Sequence, residues 1–209
     1  QAIGNERFAG HSVDKARVVL SDLAQGNLTS LHALLSGWTR GPALTALLDA
    51  RLEAENLFTL LACAAYYGQA DAVRLLLESG ASVGATTGRG CSALFVACQE
   101  GHLECVRLLL GASAAVNQAK NSGAAPLFIA CQEGRLECAQ LLLEAGAAIN
   151  QAKDDGATPL YIACQEGHLE VARLVMEKGA DMNKVGLKGE TPLLIAACNG
   201  HEGVARVLV

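Results

Sequence analysis

Cysteine, histidine and glutamate recur along this chain at fixed offsets. Cys98, Cys131 and Cys164 lie 33 residues apart, as do Cys105 and Cys138. His102, His168 and His201 each follow a glycine; Glu100, Glu133 and Glu166 each precede one. Three chemistries use these residue types: a thiol nucleophile activated by imidazole, a zinc centre, and paired carboxylates that share a proton. The spacing counts against each. A Cys–His nucleophile needs an exposed electropositive niche, and these cysteines fall on apolar helical stripes. The C-x6-C interval, with His102 at a helix start, is not a zinc spacing. Repeated carboxylates one packed helix apart, about 10 Å, are too distant to share a reaction centre. The same distance exceeds the roughly 7 Å between Cα atoms that a disulfide tolerates. The thiols therefore read as small buried hydrophobes, which fits a reducing compartment, cytoplasmic or organellar. No glycine-rich phosphate loop follows a strand. The expectation is an absence of catalytic, cofactor-binding and metal-ligating residues.

The elements that hold these residues share one period. Gly90, Gly123, Gly156 and Gly189 are 33 apart, and so are Leu94, Leu127, Leu160 and Leu193. A fixed period of this length marks a stacked repeat array, in which length sets the number of units. In the clearest unit, residues 156–188, Thr158 suits a helix N-cap and Pro159 the first helical position. A helix follows to about Glu166, with Leu160, Ala163 and Cys164 inward, and Gly167 stops it. His168 and Leu169 open a second helix with Glu170 in its first turn; Leu169, Ala172 and Val175–Met176 form its stripe and Gly179 closes it. Leu108, Leu141 and Leu174 are expected to be scaffold leucines.

Composition narrows the class. Apolar residues make up 51% and aromatics 4%, an Ala- and Leu-rich core suited to small packed helices. With net charge −5 and no long basic run, nucleic acid and anionic membranes are poor partners. No stretch of about 18 residues is apolar enough to span a membrane, and no secretory signal is visible.

Residues 156–170, Gly-Ala-Thr-Pro-Leu-Tyr-Ile-Ala-Cys-Gln-Glu-Gly-His-Leu-Glu, closely resemble the ankyrin pattern G-x-T-P-L-H-x-A-A-x-x-G-H-x-E. Residues 178–183 resemble its G-A-D-V-N ending. The resemblance is clear over residues 57–209 and implies an all-α solenoid of stacked helix-turn-helix units with β-hairpin or loop fingers. The units are 57–89, 90–122, 123–155, 156–188 and an incomplete 189–209. Residues 1–56 read as a helical N-terminal cap. It holds a degenerate repeat around Val13–Gly37 and an inserted helix after Pro42, with Leu44, Leu47, Leu48 and Leu52 on one face and Trp38 as an anchor. The last unit stops mid-helix at Val209, so the expectation is that the ordered chain continues. The family histidine after T-P-L is replaced by Phe95, Phe128, Tyr161 and Leu194, so the loops are expected to be held differently. Ser92 and Ala125 depart from Thr-Pro, which predicts weaker caps there.

In this family partners meet the finger tips and two palm positions before the mid-repeat glycine. Carried over, the palm pairs are Tyr66–Tyr67, Gln99–Glu100, Gln132–Glu133, Gln165–Glu166 and Cys198–Asn199. The tips centre on Arg89, Asn121–Ser122, Asp154–Asp155 and Leu187–Lys188. The resemblance implies a non-catalytic protein-binding adaptor or scaffold, with a polar, acidic palm for a basic or extended protein partner. Two alternatives stand beside it: a structural linker in a large, possibly organellar assembly, and a recognition domain of a longer enzyme chain.

Overall fold

The computed structural model describes residues 18–37, 41–51, 58–186 and 188–209. Trp38, Leu52, Leu187 and the start of the Val13–Gln25 stretch lie outside these residues. The described elements are all helical: α1 (described over 18–24), α2 Thr29–Ser36, α3 Pro42–Leu48, α4 Leu60–Tyr66, α5 Ala70–Glu78, α6 Ala93–Glu100, α7 Leu103–Gly111, α8 Pro126–Gln132, α9 Leu136–Glu144, α10 Pro159–Glu166, α11 Leu169–Glu177, α12 Pro192–Cys198 and α13 Glu202–Val207. First helices α4, α6, α8, α10 and α12 pack in one file, second helices α5, α7, α9, α11 and α13 in another. The stack is an all-α solenoid, as the period predicts.

Small residues let the first helices pack closely. Leu94, Ala97 and Cys98 are fully buried on α6, and Leu127, Ala130 and Cys131 repeat them on α8. On the second helices the structure corrects the expected register. Leu108, Leu141 and Leu174 are only partly buried; the fully buried positions are their C-terminal neighbours Leu109, Leu142 and Val175. Two adjacent apolar residues leave the phase of a short helix open by one position, and contact with the next unit decides it.

Helix starts follow the capping chemistry. Thr59, Thr158 and Thr191 each accept a backbone N–H three residues on, at 3.1–3.2 Å. Ser92 does the same for Phe95 N at 3.2 Å. The cap expected to be weak at Ser92 is therefore intact, because a serine hydroxyl reaches the same N–H as threonine. Ala125 alone among these five has no side-chain acceptor. Its backbone is extended like that of Thr158, so Ala125→Ser should raise stability by about 1 kcal/mol. A thermal melt unchanged or lowered by this substitution would count against the capping account.

Neighbouring units are pinned by a second set of polar bonds. Asn117 Oδ1 accepts from Ala148 N at 2.8 Å, and Asn150 Oδ1 accepts from Asp181 N at 2.9 Å. Near the N-terminus Asp49 Oδ1 accepts from Ser82 N in the same way, and Arg51 donates to the Thr86 carbonyl at 2.9 Å. The segment after α3, whose Leu44, Leu47 and Leu48 are buried, thus docks on the unit 57–89. In the last unit Leu193 is 37% and Leu194 49% exposed, whereas Leu160 and Tyr161, one unit earlier, are buried.

Candidate functional site

The palm forms where each first helix ends. In three units a Gln–Glu pair stands there, and each glutamine amide donates to the adjoining carboxylate: Gln99 to Glu100 at 2.8 Å, Gln132 to Glu133 at 3.0 Å, Gln165 to Glu166 at 2.9 Å. The glutamines and Glu100 are half-buried; Glu133 and Glu166 are exposed. In the first unit, Tyr66 replaces the glutamine. It is 42% exposed and packs edge-on against Phe58 at 5.9 Å and Tyr67 at 5.0 Å. Tyr67 is half-buried against the core. The pair thus divides: Tyr66 offers surface and Tyr67 mostly supports it. At the last palm position Cys198 and Asn199 are exposed, and Asn199 donates to the Gln165 carbonyl.

The backbone carbonyl of the palm residue has its own partner. His102 Nε2 donates to Tyr66 O, His168 Nε2 to Gln132 O and His201 Nε2 to Gln165 O, each at 2.9 Å. These histidines are ties between units. In the unit 123–155, which lacks a histidine there, Arg135 Nε donates to Gln99 O at 3.2 Å. Arg135 was missed as a tie; its place directly after Gly134, matching His102 after Gly101, was the available signal.

The fingers are tight loops. Lys120 N bonds Ala124 O and Lys153 N bonds Ala157 O, both at 2.9 Å. Thr86 and Ser92 form an isolated antiparallel bridge at the base of the finger leading into the unit 90–122. Tips are also linked to each other: Asn121 N donates to Arg89 O at 3.1 Å and Asp154 N to Ser122 O at 3.2 Å. Asn121, Asp154 and Lys188 are exposed, and Ser122 and Asp155 half-buried. The loops are indeed held differently without the T-P-L-H histidine. Lys120 lies over the Phe95 ring at 5.1 Å, and Lys153 over Phe128 at 5.7 Å. Lys153 also pairs with Asp155. Burial alone would raise the Asp155 carboxyl, but the bonds from Lys153 and Ala157 N outweigh it and hold it below its usual range.

Palm and fingers enclose a groove. Part of it is a cavity of about 330 Å³ between Gln132 and Gln165 on the palm side and Asp155, Lys188 and Glu190 on the finger side, with Tyr161 in its wall. A sequence profile of ankyrin repeats, in three copies, matches residues 61–153 and 145–209. The chain belongs to the ankyrin-repeat family. A comparison with curated proteins finds no match. Ankyrin repeats generally serve as protein–protein interaction modules.

None of the described cysteines lines this cavity. Cys63, Cys98, Cys105, Cys131, Cys138 and Cys164 are buried, Cys91 is half-buried and Cys198 exposed. Among the described residues no three His, Cys, Asp or Glu gather as a metal shell, and no helix is long and apolar enough to cross a membrane. Burial, with a smaller push from Glu104, raises Cys105 from 9.0 to about 11. Burial raises Cys164 to about 12 and drives Cys98 and Cys131 well up. A thiol whose folded value is raised stabilises the fold fully below its unfolded value, near 9, and loses that contribution as pH climbs towards the folded value. The melting temperature should therefore fall between pH 8 and 10.5. At pH 8, iodoacetamide should label Cys198 first and Cys91 next, with Cys98, Cys131 and Cys164 reacting only in denaturant. Peptide mass mapping that finds Cys98 as reactive as Cys198 would overturn this order.

Proposed function

We propose that this chain is a non-catalytic adaptor or scaffold that holds a basic, extended segment of a partner protein along its palm and fingers. The observation that carries the reading is the Gln–Glu pair presented at three successive units, each carboxylate pre-oriented by its neighbour's amide. Fixed carboxylates along a groove favour a cationic partner and lose strength as salt screens them. Tyr66 adds an aromatic anchor at one end of the strip, of the kind that dominates interface energetics. The buried thiols suit a reducing intracellular setting.

The test is affinity capture with quantitative mass spectrometry, comparing the parent chain with Glu100→Gln/Glu133→Gln/Glu166→Gln. The triple variant should lose its salt-sensitive partners at least tenfold while melting normally, and Tyr66→Ala should weaken the same set. Retention of every partner at parental level would end this reading.

A further inference from the structure

The array contains its own comparison at the aromatic position of each unit. Phe95 is covered by Lys120 and Phe128 by Lys153, each ammonium over its ring. One unit on, the ring is Tyr161 and the lysine position is Gly186. Gly186 packs so closely on this ring that a Cβ there would lie 3.0 Å from Tyr161 Cε2 and Cζ. The chain therefore supplies no cation from that position, and the cavity of about 330 Å³ opens beside the ring instead. The tyrosine hydroxyl has no hydrogen-bond partner among the described residues.

The cavity's charges are arranged for a cation. Asp155 and Glu190 both line it, and both bear on the phenol: after burial, they are what pushes Tyr161 above its ordinary value of 10.0. The carboxylates of Glu133 and Glu166 are tied to Gln132 and Gln165, which also line the cavity. Against these stand Lys153, engaged with Asp155 and Phe128, and Lys188, exposed at the finger tip. A cation over an aromatic face gains most where water is partly excluded.

We propose that the cavity beside Tyr161 receives a lysine or arginine side chain from the partner protein, in the place that Lys120 and Lys153 fill within the chain at the two preceding units. This rests on the palm-and-finger reading above and assigns it one anchoring subsite. The partner's side chain would lie against Tyr161, with Glu190 as its nearest carboxylate not already paired with lysine.

The test titrates the full chain with the peptide Ac-Gly-Arg-Gly-amide, and separately with its citrulline counterpart, which keeps the shape and removes the charge. NMR shifts at Gly186 and Glu190 and on the Tyr161 ring are the readout. The arginine peptide should give a saturable shift at these sites and the citrulline peptide at least tenfold weaker binding. Tyr161→Leu, which places at this position the residue found at Leu194, and Glu190→Gln should each weaken arginine binding several-fold, the second with an unchanged melt and the first in a chain still folded at the temperature of the titration. Lys188→Ala should leave it unchanged or tighten it. No saturable shift, equal binding of both peptides, or indifference to both weakening variants would overturn the proposal. The wider reading fails separately: captured partners that survive Tyr161→Leu but are lost with the three palm glutamates leave the groove reading standing and remove only this subsite.

Discussion

Leu109→Ala should cost about 2–5 kcal/mol and lower the melting temperature by roughly 5–15 °C for a chain of this size. Leu109 is fully buried on α7, between α6 of its own unit and the neighbouring second helices α5 and α9. Removing its side chain leaves a void in the closely packed core shared by both files of helices. Leu108 is the internal control. It is only partly buried, so Leu108→Ala should cost less than half as much. The loss at Leu109 should also spread, since each unit relies on both neighbours for its burial. Equal losses at the two positions in a denaturant titration would show that the helix register described above is wrong.

Gly134→Ala should cost about 2–3 kcal/mol, from two sources. Gly134 has φ of +66°, a conformation that costs an L residue roughly 1–2 kcal/mol. A Cβ there would also lie 2.7 Å from His168 Nδ1, inside any real contact distance. The ring must then move, and its 2.9 Å bond to Gln132 O goes with it, a further loss of about 0.5–1.5 kcal/mol. Two other glycines separate these contributions. Gly146 has φ of +85° but open space around a Cβ, so Gly146→Ala should show the backbone cost alone. Gly101 faces Arg135 Cδ at 2.9 Å, and a flexible arginine can yield where a wedged imidazole cannot. Gly101→Ala should therefore fall between the other two. The order Gly134, Gly101, Gly146 is the measurable content, read from equilibrium unfolding. A Gly146 loss as large as that at Gly134 would remove the inter-unit contact from the explanation.

These residues also mark what sequence could and could not reveal. Helix starts at Thr158–Pro159 and stops at Gly167 were legible because each depends on chemistry local in the chain. The buried face of α7 was legible only to within one residue, since Leu108, Leu109 and Leu110 are alike in type and packing by α5 and α9 selects among them. The ammonium–ring contacts of Lys120 and Lys153 were not anticipated: each joins residues 25 apart, near opposite ends of one unit, a distance no local rule connects. Their repetition at equal spacing was the available clue, and so was its interruption at Gly186. Arg135 carries no such mark in its residue type; its position after Gly134 alone defines it as a tie.

The tie has a mechanical consequence. Gln99, Gln132 and Gln165 turn their side chains to the groove while their carbonyl oxygens carry the arginine or histidine of the following unit. On the proposed reading, the residue a partner grasps is thus also the hook from which the next storey hangs, and a load there passes directly to the joint between storeys.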